Sequence, residues 1–430
     1  MIKKLVSVFF LLTFVTLSAQ RNSTSSPYSF FGLGEQFSPR TIEQSAMGGI
    51  GVAFNHYKYL NFTNPAAIAE IRYTTYTFGV LNTNLTIKDV NTSQSGNATN
   101  LSYFALAFPI GKKAGASLGI QPVSSVGYGL NNTVLDADGN FAEFSSFSGN
   151  GGVSRVYGTF GLKVTKELSI GVEAGFSFGN TENTITEQRT GVTLFTEFNE
   201  ETQIRGGAVK VGAQYNKELK NKLRISAGAS AKLGNELDVT GNEYLYSVGF
   251  NGNGVRVSRD TILDNPVTGK YTLPLKITLG AGVGKYDKWY VGVEYEGQDA
   301  IQTSGFLNNS SAAFRYGNSN RFSLGGFYLP KMNSISSYWE RVTYRAGIRL
   351  EKTGLLVDGS GTNTNFTPID DFGISFGLGI PLKQLSTLNM GLEYGVRGTT
   401  DNNLIQENYF NFRLGLSLTD VNWFKKRKID

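Results

Sequence analysis

The sequence predicts an all-β fold, namely a transmembrane antiparallel β-barrel of about 14 strands with an N-terminal plug (hatch) in the lumen. Three observations favour it: apolar residues alternate with small or polar ones, the alternating segments are long, and short connections alternate with long ones. A strand that crosses a membrane needs about 9–11 residues, whereas strands of globular proteins average about five or six.

The first 19 residues have the features of a secretory signal peptide. Lys3 and Lys4 precede the apolar run LVSVFFLLTFVTL at 5–17, and Ser18 and Ala19 provide a small-residue exit. This run is shorter than the roughly 20 residues that a helix needs to span a bilayer. We therefore expect residues 1–19 to be cleaved and the mature chain to be exported.

Alternation with a period of two runs through most of the remaining chain. In residues 168–178 (LSIGVEAGFSF), Leu, Ile, Val, Ala and Phe occupy one face, and Ser, Gly and Glu occupy the other. Residues 244–263 also alternate and are predicted to form a hairpin within the longest connection. Barrel strands are predicted near residues 73–82, 99–110, 115–127, 152–165, 167–180, 203–217, 222–234, 272–284, 287–298, 319–330, 340–352, 371–382, 386–398 and 405–418.

The connections predict how the barrel is oriented. Outer-membrane barrels have short periplasmic turns and longer external loops. The short connections here are rich in Lys, and the chain has 40 Lys and Arg against 34 Asp and Glu. This excess predicts a basic periplasmic rim near phospholipid and a basic tail at 419–430, rather than nucleic-acid binding. The long polar connections are predicted at 83–98, 128–151, 180–202, 235–271, 299–318 and 353–369.

Two features of composition disfavour catalysis and metal binding. The chain has no Cys, which excludes thiol nucleophiles and Cys-ligated metals, and one His, His56, which disfavours His-based triads and multi-His sites. We therefore expect no enzyme activity, no cofactor and no metal. Aromatic residues near predicted strand ends suit an interfacial girdle, as at Trp289, Tyr290, Trp339 and Tyr409.

Charged residues on the polar face of the predicted strands form a candidate lumen polar ladder. Carboxylates beside arginines could serve as a general acid–base pair. Ion pairs that hold the wall and the plug together are the favoured interpretation, since charges removed from water need partners. The ladder residues are Glu173, Glu294, Arg345, Arg349, Glu393 and Arg413.

Residues 20–72 are predicted to form the plug, and their motifs resemble a known family. The sequence AMGGIGVA at 46–53, followed by Asn64, Pro65 and Ala66, resembles the hatch of the long-chain fatty acid transporter (FadL/TodX-type) family. Residues 273–280 (LPLKITLG) and 344–348 (YRAGI) are similar to that family's middle barrel. The resemblance implies a plugged barrel in the outer membrane of a Gram-negative bacterium, which passes hydrophobic compounds or lipids.

Pro122 lies inside the third predicted strand, next to Gln121. Proline removes a hydrogen bond from the strand ladder, so this position is either a simple edge or bulge, or a kink that opens a gap in the wall. Members of the family that the chain resembles are thought to release ligand sideways at such a kink. The resemblance therefore implies a lateral opening at Gln121 and Pro122.

The predicted ligand gate lies in the plug. Its apolar candidates are Phe30, Phe31, Leu33 and Phe37, which are equally compatible with a plug core, and the motif Asn64, Pro65 and Ala66 is included with them. The alternative function is a non-transporting barrel that acts as a scaffold subunit of an outer-membrane secretion or assembly complex. The long loops and the basic tail would suit protein partners of that kind.

Overall fold

The computed structural model describes residues 26–251, 256–308 and 313–420. Within these ranges the chain forms one 19-stranded antiparallel sheet. The predicted signal peptide, residues 20–25 of the predicted plug, and residues 421–430 of the predicted tail lie outside the described residues. The strands are β1 (Glu35–Gln36), β2 (Thr74–Lys88), β3 (Ser93–Ile110), β4 (Ala114–Leu135), β5 (Phe141–Lys163), β6 (Leu168–Arg189), β7 (Phe195–Glu218), β8 (Leu223–Lys232), β9 (Asn235–Phe250), β10 (Arg256–Leu273), β11 (Lys276–Lys285), β12 (Trp289–Gln298), β13 (Gln302–Gly305), β14 (Phe314–Tyr316), β15 (Ser319–Tyr328), β16 (Thr343–Val357), β17 (Thr367–Pro381), β18 (Thr387–Gly398) and β19 (Gln406–Asp420).

Fourteen of these strands form a closed antiparallel barrel, which confirms the predicted fold class. The barrel strands are β2–β8, β11, β12 and β15–β19, in chain order. Closure is made by β19 and β2, whose ladder runs from Gln406↔Lys88 to Asp420↔Thr74. Strands β9 and β10 form a hairpin, and β9 also pairs with the extended part of β7. The hairpin predicted at 244–263 is therefore present, and its strands are longer than predicted.

The two ends of the barrel differ in the length of their strands. At one end, hereafter the short-turn end, tight connections such as 111–113 and 286–288 join the strands. At the other end, β4, β5, β6 and β7 continue to lengths of 22, 23, 22 and 24 residues. Most of the predicted loops at 83–98, 128–151 and 180–202 are therefore strand. These segments are rich in polar residues. A polar sequence is compatible both with a loop and with a strand that is surrounded by water, so the sequence does not distinguish the two.

The apolar rows of the barrel strands face outward. On β6, Ile170 is 45% exposed and Phe176 is 47% exposed, while Glu173 between them is 3% exposed. The same arrangement places Leu279 and Val293 on the outside and Glu294 on the inside. A continuous outer apolar surface around a polar interior is the arrangement that a lipid environment favours. None of the helices in the described part of the chain has the length and apolarity needed to cross a membrane.

Residues 26–73, hereafter the N-terminal segment, contact inward-facing positions on several sides of the barrel. A short helix, α1 (Ile42–Ser45), has Thr41 as its N-cap. The Thr41 side chain accepts a hydrogen bond from the backbone N–H of Gln44 in a capping box. Glycines in the wall allow the segment to approach closely: Gly171 adjoins Pro65, Gly228 adjoins Val52, and Gly325 and Gly347 adjoin Met47.

Candidate functional site

The ladder between β3 and β4 stops partway along the two strands. It runs from Ile110↔Ala114 to Phe104↔Ile120, and no β3–β4 pairing continues beyond Ile120 in the described residues. Pro122 follows two positions later, and the register of β4 against β5 shifts between Pro122 and Ser124. Since proline has no N–H to donate, it favours a break in pairing at this place. We call the unpaired interval between β3 and β4 the wall gap.

Part of the N-terminal segment lies along the edge of β4 at the wall gap. Strand β1 pairs with β4 through Glu35↔Ser125 and Gln36↔Ser124. The backbone N–H of Phe37 donates to the carbonyl oxygen of Val123 at 2.8 Å. The segment therefore supplies some of the backbone hydrogen bonds that β3 does not make to β4.

A cavity of about 280 Å³, hereafter the gap cavity, lies inside this part of the wall. Leu101 of β3 and Gln121 and Pro122 of β4 line it on the wall side, and Phe31 and Phe37 line it from the N-terminal segment. Most of its remaining lining residues are polar or charged, so the gap cavity is polar over much of its surface.

Arg349 is the centre of the charged network that borders the gap cavity. Its guanidinium lies 2.7 Å from Glu351, 3.2 Å from Asp371 and 2.9 Å from Glu393. Arg413 forms a second ion pair with Glu393. These buried charges are paired, which is the condition under which buried charges are tolerated.

A second part of this network reaches the N-terminal segment. Arg397 pairs with Glu35 of β1 at 2.9 Å and with Glu407 of β19 at 3.3 Å. The side chain of Glu407 also accepts a hydrogen bond from Ser26. The segment is thus attached to the wall through charged groups on the side of the gap cavity.

Arg40 makes another attachment of the segment to the wall, at β12. Its Nη2 lies 2.9 Å from Glu294 and 3.2 Å from Glu296. The second oxygen of Glu294 accepts the backbone N–H groups of Gly51 at 2.7 Å and Val52 at 2.6 Å. One carboxylate therefore holds two stretches of the N-terminal segment against β12.

A smaller cavity of about 130 Å³, hereafter the inner cavity, shares Gln121, Pro122 and Phe37 with the gap cavity. One part of its lining is apolar and the other is cationic. The apolar residues include Leu33, Phe37, Phe62, Val123, Val153, Leu237 and Leu273, and the cationic residues are Arg40, Arg155, Lys210, Lys232 and Lys276.

The cations of the inner cavity are only partly neutralised. Glu173 accepts from Arg155 at 3.1 Å and pairs with Lys210 at 3.1 Å. Lys276 pairs with Glu296 at 2.8 Å. Within the described ranges Lys232 forms no salt bridge. The inner cavity therefore combines an apolar side with a positive one.

The predicted gate residues are distributed over several environments. Phe31 and Phe37 line the gap cavity, and Leu33 and Phe37 line the inner cavity. Leu33 also belongs to an apolar cluster with Leu237 of β9, and the Phe30 ring lies 5.2 Å from that of Tyr128. These residues thus join the N-terminal segment to the extended strands as well as to the cavities.

Asn64, Pro65 and Ala66 lie elsewhere, in a backbone anchor rather than beside a described cavity. The Asn64 amide donates to the carbonyl oxygens of Val52 at 2.8 Å and Ala213 at 2.9 Å, and its oxygen accepts the N–H of Ala66 at 3.0 Å. This arrangement fixes the segment against β7.

The ladder residues all lie on the inner side of the wall but form separate groups. Arg349, Glu393 and Arg413 meet in one network, whereas Glu173 and Glu294 belong to two others. Arg345 lies apart and donates to Asn389 at 3.1 Å.

Several charged residues of the site were not among the sequence candidates. The alternation of side chains along a strand could have identified some of them, because Lys210, Glu296 and Asp371 share the inward face of their strands with small or polar neighbours.

Two of the residues predicted for the aromatic girdle lie inside the barrel instead. The ring centroids of Tyr290 and Phe54 lie 5.2 Å apart inside the barrel, and Tyr409 is 4% exposed, so neither tyrosine belongs to an outer girdle.

The described residues contain no group of three or more His, Cys, Asp or Glu side chains that could hold a metal ion.

Known structures with the same fold include the Ralstonia pickettii toluene transporter TbuX, with a TM-score of 0.58, 16% identity, and coverage of 90% of this chain and 98% of that one. A Pseudomonas aeruginosa FadL homologue gives a TM-score of 0.59 at 13% identity, covering 89% and 98%. The monoaromatic hydrocarbon channel CymD has a TM-score of 0.54 at 15% identity, and the match covers 91% of this chain and 99% of CymD.

The resemblance to FadL/TodX-type proteins therefore holds for the fold. The sequence identity is too low for a function to be inferred from it. No curated protein sequence matches the chain. The model of one protein family, described as BamG, matches residues 1–430. The chain belongs to the BamG family.

Proposed function

We propose that this protein is an outer-membrane channel for passive uptake of hydrophobic compounds, either fatty-acid-like or aromatic. In this proposal the N-terminal segment acts as the plug, and ligand leaves sideways through the wall gap at the kinked third barrel strand. The protein would lie in the outer membrane of a Gram-negative bacterium, with the basic short turns towards the periplasm.

The observation that carries the proposal is the wall gap and its position beside two cavities. The β3–β4 ladder ends at Phe104↔Ile120, and Gln121 and Pro122, just beyond that point, line both the gap cavity and the inner cavity. A sideways exit lets an apolar molecule enter lipid directly. Exposure to water would cost about 0.8 kcal/mol per CH₂ group.

The lining of the inner cavity supports the class of ligand. Apolar side chains such as Leu33 and Val123 face the same space as Lys232, which has no salt bridge within the described ranges. A fatty-acid-like molecule would place its chain on the apolar side and its carboxylate near the lysine. Two structures with the same fold are named as a toluene transporter and a monoaromatic hydrocarbon channel, which supports aromatic compounds as a second ligand class.

Pro122→Ala tests the proposed exit. Alanine restores a backbone N–H, so β3 and β4 can pair further and narrow the gap. We expect slower uptake of toluene and of decanoate into proteoliposomes. Pro109→Ala is the matched control, because Pro109 lies on β3 within the paired interval. Equal uptake by both variants and the unmodified protein would contradict the lateral exit.

A scaffold subunit is the second candidate function, and the β9–β10 hairpin favours it. Residues 256–268 of β10 pair with β9 on one edge, and their other edge has no ladder partner among the described residues. An open strand edge is suited to pairing with another protein. Gentle detergent purification separates the two functions: stoichiometric partner proteins would favour the scaffold, and a bound lipid-like molecule found by mass spectrometry would favour the channel.

A further inference from the structure

One connection at the short-turn end of the barrel is much longer than the others. It spans residues 329–342 between β15 and β16, and we call it the β15–β16 connection. Its two ends pack inward, because Leu329 is 8% exposed and Val342 is fully buried. The backbone N–H of Lys331 donates to the carbonyl oxygen of Glu340 at 2.8 Å, which joins the two ends. The other connections between barrel strands at this end span residues 111–113, 164–167, 219–222, 286–288 and 382–386.

The middle of the β15–β16 connection exposes large apolar and aromatic side chains. Ile335 is fully exposed, Trp339 is 64% exposed, and Tyr338 is exposed as well. Leu382, in the next connection along the rim, is also exposed. Exposed apolar side chains that are grouped in this way mark a surface that contacts a membrane or a partner.

Two tyrosine hydroxyls place this part of the connection on the outer side of the rim. The Tyr344 hydroxyl donates to the carbonyl oxygen of Trp339 at 3.2 Å. Tyr344 faces outward, because it shares one face of β16 with the exposed Ile348. The Tyr338 hydroxyl donates to the carbonyl oxygen of Pro381, the last residue of β17, at 3.1 Å. Trp339 and Tyr338 therefore lie next to the outward-facing surface of the wall.

An aromatic row continues the outer apolar surface of the wall up to the connection. Trp289 is the ladder partner of Tyr328, and Tyr328 is the ladder partner of Tyr344. Tyr328 is 56% exposed, and Trp289 shares the outward face of β12 with the exposed Val291. Tryptophan and tyrosine at the edge of an apolar band are typical of the membrane–water interface. The β15–β16 connection therefore lies at the level where lipid head groups begin.

Cations accompany the exposed aromatic residues. Lys331 and Arg341 belong to the connection and are exposed, and Glu340 is its single acidic residue. The guanidinium carbon of Arg341 lies 4.9 Å from the centre of the Tyr338 ring. Exposed cations beside aromatic rings suit the phosphate groups of lipids at an interface. Further exposed lysines in the two adjoining turns are Lys288 and Lys383.

We propose that the β15–β16 connection is an interfacial anchor, which seats Ile335 and Trp339 in the phospholipid leaflet at the short-turn end and places Lys331 and Arg341 against lipid phosphates. A phospholipid leaflet is favoured as the occupant over a protein, because the connection is continuous with the lipid-facing surface of the barrel. The inference rests on the position of the barrel in a membrane and is independent of transport.

Tryptophan fluorescence in bilayers tests the anchor, because the chain has only three Trp. The full-length protein is placed in bilayers of phosphatidylcholine and phosphatidylglycerol whose acyl chains carry bromine near the head group. Trp289→Phe with Trp423→Phe leaves Trp339 as the reporter, and Trp339→Phe with Trp423→Phe leaves Trp289 on the wall. We expect bromine to quench Trp339 at least half as strongly as it quenches Trp289, and iodide in the water to quench Trp339 weakly.

The Trp289 reporter separates failure of the anchor from failure of the membrane position. If bromine quenches Trp289 and only iodide quenches Trp339, the barrel lies in the bilayer and the anchor is wrong. If bromine quenches neither, the membrane position and the anchor are both wrong. Shielding of Trp339 from bromine and iodide alike would indicate a protein contact, which also overturns the anchor. Lys112→Trp, in a chain without other Trp, is the control in a short turn, and we expect iodide to quench it more strongly than bromine.

Charge variants test the phosphate contacts. Lys331→Gln with Arg341→Gln, in the chain that keeps only Trp339, should lower the bromine quenching at least twofold. Both side chains are exposed, so we expect the barrel to fold. Lys112→Gln with Lys113→Gln removes two charges from the same end of the barrel and should leave the quenching unchanged. Equal quenching in the two charge variants would overturn the assignment of Lys331 and Arg341 to lipid phosphate.

Discussion

Arg40 has two carboxylate partners inside the barrel, so its removal should loosen the N-terminal segment. Arg40→Met leaves Glu294 and Glu296 buried without their shared cation, and breaking a buried pair in this way costs about 3–5 kcal/mol. We expect faster hydrogen exchange at the backbone N–H groups of Gly51 and Val52, which donate to Glu294. The control is Lys270→Met, which breaks a solvent-exposed pair with Glu236, and exposed pairs contribute little to stability. Unchanged exchange in Arg40→Met would contradict the attachment.

His56 is the single histidine, and its environment makes a clear prediction of pH dependence. Burial lowers the pKa of His56 from 6.5 to about 4, and the hydrogen bond to Asp287 only partly opposes this effect. The folded state therefore favours the neutral ring. This contribution to stability is fully present above pH 6.5 and is lost as the pH falls from 6.5 towards 4.

The imidazole resonances of His56 provide the measurement, because no other histidine overlaps them. We expect NMR titration of the protein in detergent to show a pKa well below 6.5. A pKa at or above 6.5 would contradict the buried, neutral ring. His56→Gln should remove that part of the pH dependence of unfolding which lies between pH 4 and 6.5, since glutamine does not titrate there.

Residue alternation predicted which charges face inward, but it did not predict their partners. Glu173, Glu294 and Arg349 were expected on the inner face because they occupy the polar positions of alternating strands. Their partners Lys210 and Arg40 lie on another strand and on the N-terminal segment, respectively. The first contact depends on the register between β6 and β7, and the second on how the segment folds inside the barrel; no local pattern encodes either of them.

At the scale of elements, period-two alternation predicted the barrel strands well and failed beyond the apolar band. Residues 83–98 and 180–202 were assigned to loops because Asn, Thr, Ser and Glu occupy both faces. The structure extends β2, β3, β6 and β7 through most of these residues. Outside an apolar environment both faces of a strand can be polar, so the pattern that marks a lipid-facing strand is absent there.

Wall glycines that face the N-terminal segment should tolerate no side chain. A Cβ at Gly347 would overlap the backbone of Met47 and Gly48, and overpacking of this kind costs about 1–3 kcal/mol. We expect Gly347→Ala to lower the free energy of unfolding in detergent and to make the segment more sensitive to trypsin. Gly158→Ala is the control, because nothing lies within 4 Å of a Cβ there. Equal effects of the two substitutions would contradict close packing of the segment on β16.

At the scale of the whole molecule, the wall gap connects the observations. The barrel closes between β19 and β2 and is fully paired at most of its strand neighbours, but β3 and β4 separate beside Pro122. The sequence contained the proline but not the gap, since an edge or a bulge would also account for it. The structure has both features, namely a register shift of β4 against β5 beside Pro122 and an end of the ladder between β3 and β4.

The most direct test of lateral passage is to join the two sides of the wall gap. The chain has no native Cys, so Leu101→Cys with Gln121→Cys can be linked by a bismaleimide without other thiols reacting. Both positions line the gap cavity. The matched control links Ala229→Cys to Leu279→Cys, which are ladder partners in a closed part of the wall. We predict that the link across the gap slows decanoate and toluene uptake into proteoliposomes at least tenfold and that the control link does not; uptake that is unchanged when the gap is linked would contradict lateral exit.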